Sequence, residues 1–273
     1  MENKYQYKNE PFKISDAFKS SPITIIGWYL VLYIIGTFIA MFIVTYFVSI
    51  NKNMDFKEVF QVAMNSNANI PLYYEIQGYT NFISYSLMFI ILLIIGRTYL
   101  TIDFKKFYIN KSKKEIIINI LLIILSVVIF SSISFGANIL GELVLNKLGY
   151  EGTSKNEEAI QLMIKYSSKA LLGLQIILFA PIVEELVYRK SIFELSNNLK
   201  PIYRILISAL IFTLPHMLST SNVSIGIWFI LFFIYYLAGF LLALIYQLFK
   251  ENIYASLFDH QANNLVAFLG YIL

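Results

Sequence analysis

Seven stretches of this chain are apolar for long enough to cross a membrane, and few folds can accommodate that. A spanning helix needs about 20 mostly apolar residues, because the hydrocarbon core is about 30 Å thick. The stretches run over about 23–50, 79–99, 116–143, 169–193, 202–219, 224–249 and 252–272. Lipid offers no hydrogen bonds, so each backbone group must be satisfied inside its own segment, as an α-helix does. The chain is 58% hydrophobic and only 14% charged, with a mean hydropathy of +0.66. A water-soluble surface could not be covered from that composition. The expected fold is all-α: a polytopic membrane protein of about seven transmembrane helices, or eight if the long first or third run breaks. The fourth and seventh runs carry enough polar groups to score low on hydropathy alone.

Charge placement predicts orientation. With the N-terminus inside, the inner segments hold Lys4, Lys8, Lys13 and Lys19, then Arg97, Lys105, Lys106, Lys111, Lys113 and Lys114, then Arg189, Lys190, Lys200 and Arg204, and finally Lys250. The outer segments hold only Lys52, Lys57, Lys147, Lys155, Lys165 and Lys169. This asymmetry predicts a cytoplasmic N-terminus and a C-terminus on the far side. About twenty-two mostly polar residues precede the first run, which is too long for a signal-peptide core, so the start reads as a cytoplasmic tail. The pI near 8.9 does not imply nucleic acid, because the basic residues fall in the loops between apolar runs and their sorting reads as a topology signal. There is no cysteine, which excludes disulfides, thiol catalysis, iron–sulfur clusters and cysteine-ligated zinc. The expected organisation is a tail and three helices over 1–150, then a catalytic helical core over 151–273.

Between the third and fourth runs, Ser154-Lys-Asn-Glu157 fits a capping box opening a short helix, with Ile160, Met163 and Ile164 on one face. Such a helix either lids the core, lies on the membrane surface or stands as a solvated loop helix.

Ionisable groups inside apolar runs are costly and mark candidate functional sites. Three segments carry them. The first is Pro181-Ile-Val-Glu184-Glu185-Leu-Val-Tyr-Arg189, where Glu185 and Arg189 lie four apart in the favoured ion-pair order. Glu184 points about 100° away and is left for other work. The second is Phe212-Thr-Leu-Pro-His216. The third is His260-Gln-Ala-Asn-Asn264, one helical turn between its ends, with Asp259, Gln261 and Asn263 adding polarity. His216 and His260 are the only histidines. Pro181 and Pro215 each remove a helix hydrogen bond, freeing the carbonyls of Ile177 and Ile211 and bending the helices beside the polar groups. At 1.5 Å per residue, Glu184 lies about 8 Å, His260 about 10 Å, and His216 and Asn264 roughly 15–18 Å from the inner boundary, so all can meet in the inner half of the bilayer. Each segment also has a plain structural reading: snorkelling charges at a boundary, or hydrogen bonds that glue helices together.

Taken in order, Glu-Glu-x-x-x-Arg, Phe-x-x-x-His and His-x-x-x-Asn resemble the signature of the CAAX-protease and bacteriocin-processing (Abi) family, which includes the type II CAAX prenyl endopeptidases. The resemblance covers about residues 170–270. It implies a glutamate-dependent intramembrane endopeptidase without a cofactor. In that reading Glu184 is the general base on a water and His216 polarises it. His260 and Asn264 stabilise the oxyanion, while Glu185, held by Arg189, orients the site. The implied partner is a membrane-associated peptide or protein: a peptide pheromone, a bacteriocin precursor or a lipidated peptide. Two other readings stay open. The two histidines and Glu184 also form an acceptable zinc set, although no His-Glu-x-x-His helix is present. A non-catalytic scaffold for bacteriocin self-immunity needs no chemistry at all. A transporter would show a repeat relating its halves, and none is visible.

Overall fold

A computed structural model of the protein describes residues 19–65, 69–109, 111–150, 154–218, 220 and 223–273. Lys4, Lys8 and Lys13 of the expected tail lie outside them. All seven apolar runs are helical, and two short helices occupy connections. In chain order these are α1 Pro22–Lys52, α2 Phe56–Met64, α3 Ile70–Tyr108, α4 Lys113–Lys147, α5 Lys155–Tyr166, α6 Lys169–Leu195, α7 Pro201–Met217, α8 Ile225–Leu248 and α9 Ile253–Ile272. No strand occurs among the described residues.

Five helices (α1, α3, α4, α6 and α8) are long and apolar enough to cross a membrane. The fourth run was expected to score low, yet α6 qualifies because its acids sit near one end of a long apolar window. At 17 residues, α7 reaches only about 25 Å. The polar groups of α9 keep it below the threshold over its 20 residues. Neither long run breaks into an extra helix. A π-helical turn at Leu32–Gly36 lets α1 continue, and α4 is unbroken over 35 residues.

The helix starts follow from side chains that satisfy orphan backbone donors. Ser21 accepts from the Thr24 N–H at 3.2 Å, and Asn69 accepts from the Leu72 N–H at 3.1 Å. At α4 the cap is reciprocal, with Ser112 accepting from the Glu115 N–H and Glu115 accepting from the Ser112 N–H at 2.7 Å. The box expected at Ser154 is only half formed. Ser154 accepts from the Glu157 N–H at 3.2 Å, but the Glu157 carboxylate is taken by the Tyr271 hydroxyl at 2.8 Å.

The principal core draws Ile25 and Tyr29 of α1, Leu92 and Ile95 of α3, Val183 and Leu186 of α6, Phe212 of α7, and Leu242 and Tyr246 of α8 into one cluster. Of the five long helices α6 is the most enclosed, with 56% of its apolar window buried against 11% for α4. The polar segments therefore ride on the central helix, and α4 presents most of its surface to lipid. Gly239 makes close α7–α8 packing possible: a Cβ there would lie 2.8 Å from Phe212 and 3.1 Å from the Ala209 carbonyl.

Arg189 and Lys190, expected as loop charges, are buried inside the bundle because α6 runs on to Leu195. The Lys190 ammonium sits 3.0 and 3.1 Å from the two carboxylate oxygens of Asp103 on α3, itself wholly buried. Asp103 also accepts from the Ile253 N–H at 3.3 Å, and its carbonyl accepts from Asn252 at 2.8 Å. One carboxylate thus fastens α3, α6 and the start of α9. The short helix α5 docks on the bundle, with Met163 and Ile164 buried against Leu172 and Phe268 and Ile160 packed beside them.

Candidate active site

The site is built on α6, where two π-helical turns, Gln175–Phe179 and Glu185–Ser191, flank Pro181 and Glu184. Such insertions locally rotate the side-chain register and often occur at functional sites. In the first of them the Ala180 N–H bonds back five residues to the Gln175 carbonyl. Pro181 follows and has no N–H to offer. The carbonyl left for a side chain is that of Ile176, and Asn264 of α9 donates to it at 2.9 Å. Sequence reasoning pointed to Ile177; the π-turn moves the vacancy by one residue.

Four of the six expected residues form a continuous buried chain. The Arg189 Nε lies 3.5 Å from Glu185 Oε2, and the guanidinium covers the Phe212 ring at 4.6 Å. Its Nη2 donates to the Gly239 carbonyl at 3.4 Å. Arg189 and Glu185 are wholly buried, a placement charges tolerate only when paired. On its other oxygen, Glu185 meets His260 Nδ1 at 3.0 Å. The far nitrogen of the same ring, His260 Nε2, lies 3.6 Å from Glu184 Oε2. That is beyond direct hydrogen-bond range, but one water beside the pair would reach both atoms.

His216 joins through ring contacts. Its centroid is 5.0 Å from Phe212 and 4.9 Å from Tyr235 of α8, the latter nearly parallel at 5°. Phe212 also meets the His260 ring at 5.8 Å, so it separates and orients the two imidazoles. Asn264 spends one amide hydrogen on Ile176 and keeps a second. Among the described residues no group of three His, Asp or Glu side chains is arranged to hold a metal ion.

Two tyrosines escaped sequence reasoning. Tyr29 of α1 shares a 2.8 Å hydrogen bond with Tyr188 of α6, which brings the first helix to the edge of the site. Tyr235 backs His216. Asp259, the neighbour of His260, is buried and accepts from Ser126 of α4 at 3.0 Å. Asp259 carried a sequence signal as an acid in an apolar run; tyrosines in a chain with 20 of them carried none.

A bundle of apolar helices that encloses two carboxylates, a guanidinium and an imidazole defines a multi-pass membrane protein with an ionisable centre. Residues 166–266 match the family model described as type II CAAX prenyl endopeptidase, Rce1-like. All six candidate residues lie within the matched segment. No curated protein and no solved structure matches the chain.

Proposed function

We propose that the protein is a glutamate-dependent intramembrane endopeptidase that hydrolyses a peptide bond of a membrane-associated substrate with base-activated water. The observation that carries this is the buried sequence Arg189–Glu185–His260–Glu184 inside a protease-family segment. Glu185, paired with Arg189, accepts a hydrogen bond from the Nδ1–H of His260, which fixes the tautomer of the ring. His260 Nε2 then faces Glu184, and a water between these two groups can lose its proton to Glu184 as it attacks the scissile carbonyl. The proton held by Glu184 passes to the leaving amine. His216 and the free amide hydrogen of Asn264 are the donors left to polarise the carbonyl and stabilise the oxyanion. This geometry favours a closer partnership of Glu184 with His260 than with His216.

The chemistry needs no cofactor. Zinc held by His216, His260 and Glu184 is the competing reading; among the described residues these side chains are not arranged as a three-ligand set. The substrate class is a peptide reaching the bilayer: a lipidated C-terminal peptide, a pheromone or a bacteriocin precursor. The test is mass spectrometry of such peptides after incubation with purified protein. A cut peptide from the wild-type chain, and none from Glu184→Gln of equal folded yield, is the expected result. Cleavage by Glu184→Gln at the wild-type rate would overturn the mechanism, and full self-protection in cells by that variant would favour a non-catalytic immunity scaffold.

A further inference from the structure

The His216 ring is held between two aromatic side chains. Phe212 sits one turn before it on the same helix, and Tyr235 comes from α8. The imidazole and the phenol ring are nearly parallel, 5° apart, with centroids 4.9 Å apart. An offset parallel stack of that kind restrains the plane of a ring while leaving its nitrogens free at the edge. The Tyr235 hydroxyl in turn is bound from α5. It shares a 2.6 Å hydrogen bond with the Ser154 hydroxyl and accepts from the Asn156 amide at 3.4 Å. Ser154 is also the N-cap of α5, accepting from the Glu157 N–H, and Glu157 is fastened to α9 through Tyr271.

We propose that Tyr235 is a positioning residue for His216, and that its bond to Ser154 makes the imidazole's orientation depend on the docking of the α5 lid. This rests on the peptidase reading, in which His216 must present a nitrogen to the reacting carbonyl or water. The lid then has a chemical purpose: substrate entering beneath α5 finds His216 aligned only when the Ser154–Tyr235 bond is made.

The two histidines make the test direct. Selective ¹³C labelling of histidine yields two imidazole resonances, which His260→Gln assigns by removing one. Tyr235→Leu should move the His216 resonance, since the ring that shields it is gone, and should lower kcat roughly a hundredfold with KM little changed, as misalignment of a reacting group does. Tyr235→Phe keeps the ring and loses the hydroxyl, so it and Ser154→Ala should each lower kcat about fivefold, the scale of one hydrogen bond. Together they should cost no more than either alone, because both remove the same bond. A His216 resonance unmoved by Tyr235→Leu, or additive losses in the double variant, would overturn the proposal. Should Tyr235→Leu fail to fold, the Phe and Ser154→Ala pair carries the test. If wild-type protein cuts no peptide, the peptidase reading falls, while the resonance still decides whether Tyr235 holds the ring.

Discussion

Adjacent on α6, Glu184 and Glu185 meet different partners, and their substitutions should fail in different ways. Among the described residues Glu184 meets the far nitrogen of His260 at 3.6 Å with no direct hydrogen bond, so Glu184→Gln should remove turnover and leave thermal unfolding in detergent unchanged. Glu185 is held between Arg189 and His260, and removing either ion of that pair strands the other in the bundle. Glu185→Ala and Arg189→Ala should each destabilise by about 3–5 kcal/mol, seen as lost folded yield in size-exclusion chromatography, and a paired replacement by apolar residues should recover much of it. Asn264→Ala should cut turnover at least about a hundredfold while binding a substrate peptide nearly as well as wild type, because an oxyanion donor acts on the transition state more than on the ground state. Equal losses in binding and turnover would reduce Asn264 to its contact with Ile176.

At the scale of elements, α6 is the helix on which the site depends. Its two π-turns let acids, arginine and a freed carbonyl face α7, α8 and α9 from one helix, which regular 3.6-residue spacing would spread further around the axis. The fit of α8 against α7 depends on Gly239, whose missing side chain leaves room for Phe212 and whose carbonyl accepts from Arg189. Gly239→Val should therefore push α8 away from Phe212 and Arg189. The expected cost is about 1–3 kcal/mol, typical of overpacking, read as a lowered Tm with reduced activity in the surviving fold. An unchanged Tm would show that α7 and α8 separate without penalty. The half-formed cap of α5 belongs to this scale too: Ser154–Glu157 spacing was legible, but Tyr271 competes for the acid, and only the neighbouring helix reveals that.

For the whole molecule, the bundle divides into a lipid-facing α4 and an enclosed α6, with Asp103 fastening α3, α6 and the start of α9 at one end of the site and α5 packed against α3, α6 and α9. Tyr29 brings α1, which lies outside the family-matched segment, into contact with Tyr188. A site assembled from protein groups alone should keep its activity after exhaustive chelation, and the purified protein should carry less than stoichiometric zinc by elemental analysis. Loss of activity on chelation with recovery on adding zinc would move His216, His260 and Glu184 into ligand roles.

From the sequence alone, apolar runs of about 20 residues or more dictated the all-helical, multi-pass class, because a helix satisfies the backbone of so long a run within itself, whereas barrel strands are about half that length. The three motifs were legible for the same reason: an acid, an arginine or a histidine in such a run stands out by its desolvation cost, and 3.6-residue periodicity pairs Glu185 with Arg189 and Phe212 with His216. Contacts between helices were not legible, since nothing in local spacing says which faces meet. Tertiary structure decided that His260 spans both glutamates, that the freed carbonyl is that of Ile176, that Tyr235 stacks on His216, and that Arg189 and Lys190 turn inward. Each depends on helix rotation and register, which are set by packing across the bundle: Gly239 beneath Phe212, the π-turns of α6 and the Asp103 cluster.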